Sequence, residues 1–69
     1  MVKKKSSLIK GMEYIPFRRE LFIRLTTDDL YVYFDVPREI HSAFQKAESL
    51  GRFFNDKIRY DYNCHRIDI

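Results

Sequence analysis

The stretch LYVYFDVPREIHSAFQKAESLGRFFNDKI, residues 30–58, decides the fold of this 69-residue chain. It opens with six residues in which two tyrosines alternate with apolar side chains, a pattern typical of a strand. Pro37 then suits the first position of a helix, because that position needs no backbone N–H. Apolar residues recur behind it at the spacing of one helical face: Ile40, Ala43, Phe44 and Ala47. The pattern predicts a strand over 30–35 and an amphipathic helix over 37–49.

Gly51 follows this helix at a position where a glycine commonly ends a helix in the left-handed conformation. Beyond it, Phe54 and Ile58 lie four residues apart, so they would share one face of a further helical turn. We therefore predict a short second helix over 51–58. Residues 61–69 carry weaker signals, and the sequence leaves open a short last strand or an ordered coil there.

Two more strands are predicted before this stretch. Residues 8–15 alternate weakly around a glycine, and residues 20–26 alternate cleanly between apolar and polar side chains. The polar residues 26–29 predict a four-residue turn, since aspartate side chains readily bond their own backbone. Such a turn sets three cross-strand pairs: Leu25 with Leu30, Ile23 with Val32 and Leu21 with Phe34.

Side chains that lie opposite one another in antiparallel strands share a face of the sheet. The predicted pairs therefore place the apolar residues of both strands on one face, beneath the helix. The other face would carry Phe22, Arg24, Tyr31 and Tyr33. A bulge of one residue in the turn would invert one strand and undo this sorting.

The predicted fold class is α+β: a small three-stranded antiparallel meander with one amphipathic helix on one face and a short second helix. We expect a basic flexible leader over residues 1–7 and a single domain over residues 8–69. Residues 1–10 contain four lysines and no acid, whereas residues 11–69 contain nine basic and ten acidic residues. The net charge of +3 therefore comes from the N-terminal segment, and the rest of the chain is close to neutral.

Composition and spacing exclude several classes of protein. The single cysteine rules out an internal disulfide framework and favours a reducing, cytoplasmic compartment. Apolar runs are far shorter than the roughly 20 residues of a membrane helix. Cys64, His65 and His41 are too few for the four ligands of a structural zinc site, and neighbouring residues such as His41 and Ser42 do not face each other on a helix. We expect no metal, no cofactor and no catalytic activity.

Three motifs stand in a particular order: Tyr31-x-Tyr33, Val36-Pro37, and Ala47-x-Ser49-x-Gly51-Arg52-Phe53-Phe54-Asn55 followed by Ile58. This order resembles the KTSC domain, a small domain found at the C-terminus of some lysyl-tRNA synthetases and as a stand-alone protein. The resemblance covers roughly residues 6–67. One departure is the acidic turn at Asp28 and Asp29, where such domains often carry small residues or glycine. The synthetase fusion implies RNA binding as the role of the family.

RNA binding is the function that we predict from these residues. Aromatic rings on an open sheet face stack bases at roughly 1–3 kcal/mol each, and an arginine adds a phosphate or cation–π contact. The candidate RNA-binding residues are Phe22, Arg24, Tyr31, Tyr33, Arg52, Asn55, Lys57 and Arg59. We expect a non-catalytic module for single-stranded RNA or tRNA, with the leader lysines holding further phosphates.

Other interpretations of the same residues stay open. The rings could simply pair across strands or be buried inside the domain. They could also form an interface with another protein or a homodimer, since aromatic residues are enriched at interfaces. The basic segment around Arg52 could be an ordinary solvated surface. Phosphate binding weakens steeply with salt, whereas an aromatic protein interface does not, so salt dependence separates the two functions.

Overall fold

A computed structural model describes residues 8–67 of the chain. They form an antiparallel sheet of four strands, in the order β1-β2-β3-β4, with helices packed on one face. The elements are β1 (Ile9–Ile15), β2 (Glu20–Leu25), β3 (Leu30–Tyr33), α1 (Arg38–Lys46), α2 (Leu50–Phe53), a π-helical segment (Phe54–Ile58) that continues α2, and β4 (Cys64–Ile67). The predicted leader, residues 1–7, lies outside the described residues.

The α+β class is confirmed, but the predicted sheet lacks one strand. Residues 64–67 pair antiparallel with β3, with Cys64 opposite Tyr33 and Ile67 opposite Leu30. The sequence left this segment open because most of its side chains are exposed and show no apolar face. Residues 64–67 form a strand because they pair antiparallel with β3. Their own sequence shows no alternation of apolar and polar side chains.

The turn between β2 and β3 has three residues and not the predicted four. The Asp28 N–H donates to the Leu25 carbonyl at 2.8 Å, and the Leu25 N–H donates to the Asp29 carbonyl at 2.9 Å. Asp28 adopts the left-handed conformation, with φ of 74°. These features match the three-residue hairpin loop, a type I turn followed by one left-handed residue. Aspartate is among the residues that tolerate this conformation best.

The shorter turn shifts β3 by one residue relative to the predicted register. The observed pairs are Leu21 with Tyr33, Phe22 with Val32, Ile23 with Tyr31 and Arg24 with Leu30. The predicted pairs are therefore wrong, and every side chain of β3 lies on the opposite face, because side chains alternate along a strand. Tyr31 and Tyr33 thus lie on the helix-covered face. Phe34, predicted in the core, is exposed.

The helices also depart from the prediction at Gly51. α1 ends at Lys46, since Ala47 is already extended, with ψ of 144°. Ser49 then begins α2, because its side-chain oxygen accepts a hydrogen bond from the Arg52 N–H as an N-cap does. Gly51 is buried inside α2 and its φ is not positive. The predicted left-handed stop is therefore wrong. The first helix ends at Lys46, three residues before the predicted end, and residues 50–58 form the second helical stretch that was predicted over 51–58.

The core lies between the helices and one face of the sheet. Its buried members are Ile9, Leu21, Ile23, Tyr33, Val36, Phe44, Phe54 and Ile58. Aromatic contacts join the layers: Tyr33 meets Phe54 edge to face at 5.5 Å between ring centroids. Val32 is also buried, with 6% of its surface exposed, but it lies outside this cluster. It lies on the other face of the sheet, beside Phe22.

Hydrogen bonds to Val36 fix the corner between β3 and α1. The Val36 N–H donates to the Arg19 carbonyl at 3.0 Å, and the Tyr14 hydroxyl donates to the Val36 carbonyl. The Tyr14 ring also stacks on His41 of α1, with the centroids 4.5 Å apart. Tyr14 therefore ties the edge strand β1 both to the corner and to the helix that follows it.

Replacing Tyr14→Phe should lower the free energy of unfolding by about 1–2 kcal/mol, because the carbonyl of the buried Val36 loses its side-chain donor. Urea denaturation followed by circular dichroism measures this loss. Tyr60→Phe is the matched control, since the Tyr60 side chain is 82% exposed and should tolerate the same change. Equal stability of the two variants would contradict the role assigned to the Tyr14 hydroxyl.

Acid should destabilise the domain through His41. Burial lowers the pKa of its imidazole from the ordinary value of 6.5. The unfolded chain therefore takes up a proton at a higher pH than the folded chain, so folding stability should fall as the pH drops through 6.5. Thermal unfolding measured from about pH 8 to about pH 5 checks this, with His41→Phe as the comparison. If both proteins lose stability equally, His41 is not the responsible group.

Candidate nucleic-acid interface

The structure distributes the eight predicted RNA-binding residues over three surfaces. The shift of β3 is the reason, because it separates the predicted tyrosine face into two. Phe22 and Arg24 lie on the face of the sheet away from the helices. A middle group surrounds a hollow beside the π-helical segment: Tyr31, Tyr33, Asn55 and Arg59. Arg52 and Lys57 lie beside α2. The prediction of one shared aromatic and basic sheet face is therefore wrong, whereas the members of the middle group lie around one hollow.

We name this middle site the aromatic groove. It lies between the ends of β3 and β4 and the end of the π-helical segment, and it has a volume of about 230 Å³. Its walls are mostly apolar and are formed by Leu25, Tyr31, Tyr33, Phe54, Arg59, Tyr60 and Cys64. The groove is smaller than a typical drug-sized pocket and suits one planar ring.

The two tyrosines of β3 have different roles in the groove. Tyr33 is only 3% exposed, and Phe54 meets its ring edge to face, so it forms the floor and offers no free stacking face. Burial raises the pKa of the Tyr33 phenol, and the neighbouring Cys64 raises it further. Tyr31 is half-buried, with its ring centroid 6.5 Å from that of Tyr33, and forms an accessible wall.

Arg59 is held in place by three neighbours. Its guanidinium carbon lies 5.9 Å from the centroid of the Phe54 ring and 5.7 Å from that of Tyr60. Its Nη1 donates to the Asn55 side-chain oxygen at 2.9 Å. The wide turn of the π-helical segment brings this about, because the Arg59 N–H bonds to the Phe54 carbonyl five residues earlier, at 2.8 Å.

The contacts of Arg59 differ from those of the basic side chains that form ion pairs. Several other basic side chains of residues 8–67 form ion pairs: Lys10 with Asp28 at 2.8 Å, Arg18 with Glu20 at 3.3 Å and Arg66 with Asp29 at 3.6 Å. The Lys10 ammonium, through its hydrogen bond and its charge, lowers the pKa of Asp28. The contacts described for Arg59 are instead with neutral groups. It therefore keeps its positive charge available at the mouth of an apolar groove.

Besides the apolar Leu25 and Phe54, two groove residues were absent from the prediction. Tyr60 is 82% exposed and contacts Arg59, and Cys64 lines the groove from β4. The adjacent Arg59-Tyr60 pair at the end of the second predicted helix is a signal that could have identified the first. Cys64 had no such signal, because its position depends on the pairing of β4 with β3.

The described part of the chain carries no metal-binding cluster, since no three of its histidine, cysteine, aspartate and glutamate side chains converge. Within residues 8–67, no helix is both long enough and apolar enough to cross a membrane. The arrangement at the aromatic groove is therefore one of rings, a guanidinium and an exposed thiol.

Comparison with known proteins agrees with this fold. A crystal structure of a KTSC domain protein from Yersinia pestis matches with a TM-score of 0.89 and 36% sequence identity, over 93% of this chain and 90% of that one. An uncharacterized protein of Stutzerimonas stutzeri is 36% identical over 91% of this chain and 90% of its own length. A protein of Tsukamurella paurometabola is 37% identical over 78% of this chain and 81% of its own length.

The profile of the KTSC domain matches residues 5–62, which include the three motifs of the central stretch. The resemblance seen in those motifs is thereby confirmed at the level of the whole domain. Similarity of sequence and of fold extends over the same region, and the chain belongs to the KTSC domain family.

Proposed function

We propose that this domain binds single-stranded RNA and holds one base in the aromatic groove. The observation that carries the proposal is the position of Arg59, whose guanidinium lies between the Phe54 and Tyr60 rings and is oriented by Asn55. A cation fixed beside exposed aromatic surface is the combination that single-stranded nucleic-acid sites use. The module is non-catalytic in this proposal, and we assign no reaction to it.

Different residues of the groove would contact the base and the phosphate of a bound nucleotide. Tyr60 offers an exposed ring on which a base can stack, and Tyr31 offers a second, half-exposed wall. The guanidinium of Arg59 has five N–H donors, and only one of its contacts, that with Asn55, is a described hydrogen bond. The remaining donors can bond a phosphate or a base carbonyl, which is the chemistry expected of an arginine beside a stacked base.

The other predicted residues have a more peripheral place in this proposal. Arg52 and Lys57 lie near Asn55 along the chain but share their surface with Glu48 and Asp56, so they suit phosphates of flanking nucleotides. Phe22 and Arg24 lie on the other side of the sheet and are not part of the site. Single-stranded RNA or an unpaired region of tRNA, in the cytoplasm, is the ligand that we propose.

A side chain of a protein partner is the rival occupant of the aromatic groove. It would use the same rings, since aromatic residues also dominate protein interfaces. Such an occupant would be far less sensitive to salt than RNA, because it releases few counterions on binding. The two experiments below therefore use RNA as the probe and include the salt dependence.

RNA should slow the chemical modification of Cys64. This thiol is the single cysteine of the chain, is exposed, and lines the groove, so its reactivity reports occupancy directly. We expect a mixed-sequence single-stranded RNA to slow its reaction with Ellman's reagent. A rise from about 50 to about 200 mM salt should weaken this protection about sevenfold, as expected for about two phosphate contacts.

RNA that binds without protecting Cys64 would indicate attraction to the lysine-rich N-terminal segment alone and would contradict the groove. Protection that does not change with salt would contradict the phosphate contacts assigned to Arg59. Arg59→Gln is the informative variant, because it keeps a polar side chain near Asn55 but removes the charge. It should reduce the effect of the same salt change to about threefold, because one of the two phosphate contacts is lost.

Replacing Tyr60→Ala should weaken RNA binding between about fivefold and about a hundredfold, the range expected for the loss of one base–ring stack. Stability should stay near that of the wild type, because the side chain is almost fully exposed. Fluorescence anisotropy of a labelled RNA measures the affinity. Phe17→Ala is the matched control, since this ring is 95% exposed but lies in the turn between β1 and β2. Equal weakening by both variants would contradict a site at Tyr60.

A further inference from the structure

The face of the sheet away from the helices, which we name the open face, is apolar at its centre. Pairing of the strands places two rows of side chains across it: Glu13, Phe22, Val32 and His65 in one row, and Gly11, Arg24, Leu30 and Ile67 in the other. The apolar members of these rows neither belong to the buried core cluster nor pack against it. Within residues 8–67, no helix covers this face.

One edge of the open face carries a hollow and the other edge carries an apolar side chain. The hollow has a volume of about 280 Å³ and is centred on Gly11, Phe22, Arg24 and Leu30. It exists because Gly11 has no side chain, and a Cβ built there would meet no atom within 4 Å. Ile67, at the far end of the same row as Gly11, is only partly buried.

We propose that a second copy of this chain covers the open face and forms a symmetric dimer. The twofold axis runs along the strands, between β2 and β3, so that the two sheets pack face to face. This axis reverses the order of the strands in the second copy. Each row therefore meets the same row in the opposite order, with β1 over the β4 of the second copy and β2 over its β3.

This arrangement makes the face complementary to itself. The hollow at Gly11 receives Ile67 of the second copy, and the Phe22 ring covers Val32 of the second copy. Glu13 and His65 lie at the two ends of the row that contains Phe22 and Val32. The Glu13 carboxylate can accept a hydrogen bond from the imidazole N–H of the second copy's His65. Every contact occurs twice, because the interface is isologous. Both the shape and the polar edges thus match a second copy without requiring a different partner.

Arg24 does not oppose this packing. Its Nη1 donates to the Asp28 carbonyl at 3.3 Å, which draws the charged group toward the β2–β3 turn at the end of the sheet. The aliphatic part of the side chain can then lie against Leu30 of the second copy while the guanidinium stays in water.

The area of the open face determines how tightly the two copies are expected to bind each other. Four strands about 4.8 Å apart and four to seven residues long give an area on the order of 300 Å² for each copy. About 600 Å² in total is below the size of stable specific interfaces, so we expect a weak dimer with a Kd between about 10 µM and about 1 mM. The aromatic groove lies on the helix side, so each copy would keep its groove free and RNA binding is independent of this contact.

Sedimentation equilibrium of the full chain, under reducing conditions and from about 10 µM to about 1 mM, tests the dimer. Gly11→Val is the decisive variant, because a Cβ at this position meets no atom within 4 Å in the monomer, and the valine methyl groups would occupy the hollow. Valine also favours a strand, so monomer stability should be equal or higher. We expect its dimer Kd to rise at least about tenfold. Tyr60→Ala, on the other side of the domain, should leave the Kd unchanged.

A second pair of variants keeps the test decisive if Gly11→Val does not fold. Glu13→Lys should weaken the dimer, and Glu13→Lys combined with His65→Glu should restore it, because the two positions meet only across the proposed axis. A wild type that stays monomeric at about 1 mM overturns the proposal. A Gly11→Val variant whose dimer Kd equals that of the wild type also overturns the proposal. A dimer lost with Tyr60→Ala would place the interface at the groove and would also overturn it.

Discussion

The three-residue turn between β2 and β3 determines which side of the sheet each residue of β3 occupies. Asp28 takes the left-handed conformation that this turn requires, with φ of 74°, and the Asp29 carbonyl accepts from the Leu25 N–H. One more residue in the turn would reverse the faces, because side chains alternate along a strand. The burial of Tyr33 against Phe54 and the exposure of Phe34 both follow from this short loop.

The same constraint separates two surfaces with different properties. On the helix side, the tyrosines of β3 meet the π-helical segment, and the groove between them holds Arg59 against two rings. On the other side, Leu30 and Val32 join the apolar centre of an open face. The RNA and the second copy that we propose therefore occupy opposite sides of the domain. Neither use interferes with the other, since the sheet lies between them.

The candidate site was predicted in part, and the errors have identifiable causes. Tyr31, Tyr33, Asn55 and Arg59 are brought together as the motif suggested, because β3 and the second helical stretch pack on each other. The separation of Phe22 and Arg24 from these tyrosines depends on a turn one residue shorter than expected. Cys64 reaches the groove through the pairing of β4 with β3, which joins residues about 30 positions apart. Contacts of that kind leave no local pattern.

The sequence by itself determined the α+β class, the first three strands, the helical stretch after Pro37 and the family, since alternation, helical spacing and motif order are local properties of the chain. Tertiary structure decided the fourth strand, the residue at which the first helix ends and the faces of β3. Each of these depends on a choice between local conformations of similar energy, such as a three- or a four-residue turn. The packing of Tyr33, Phe54 and Leu21 in one core makes that choice, because only one register buries all three together.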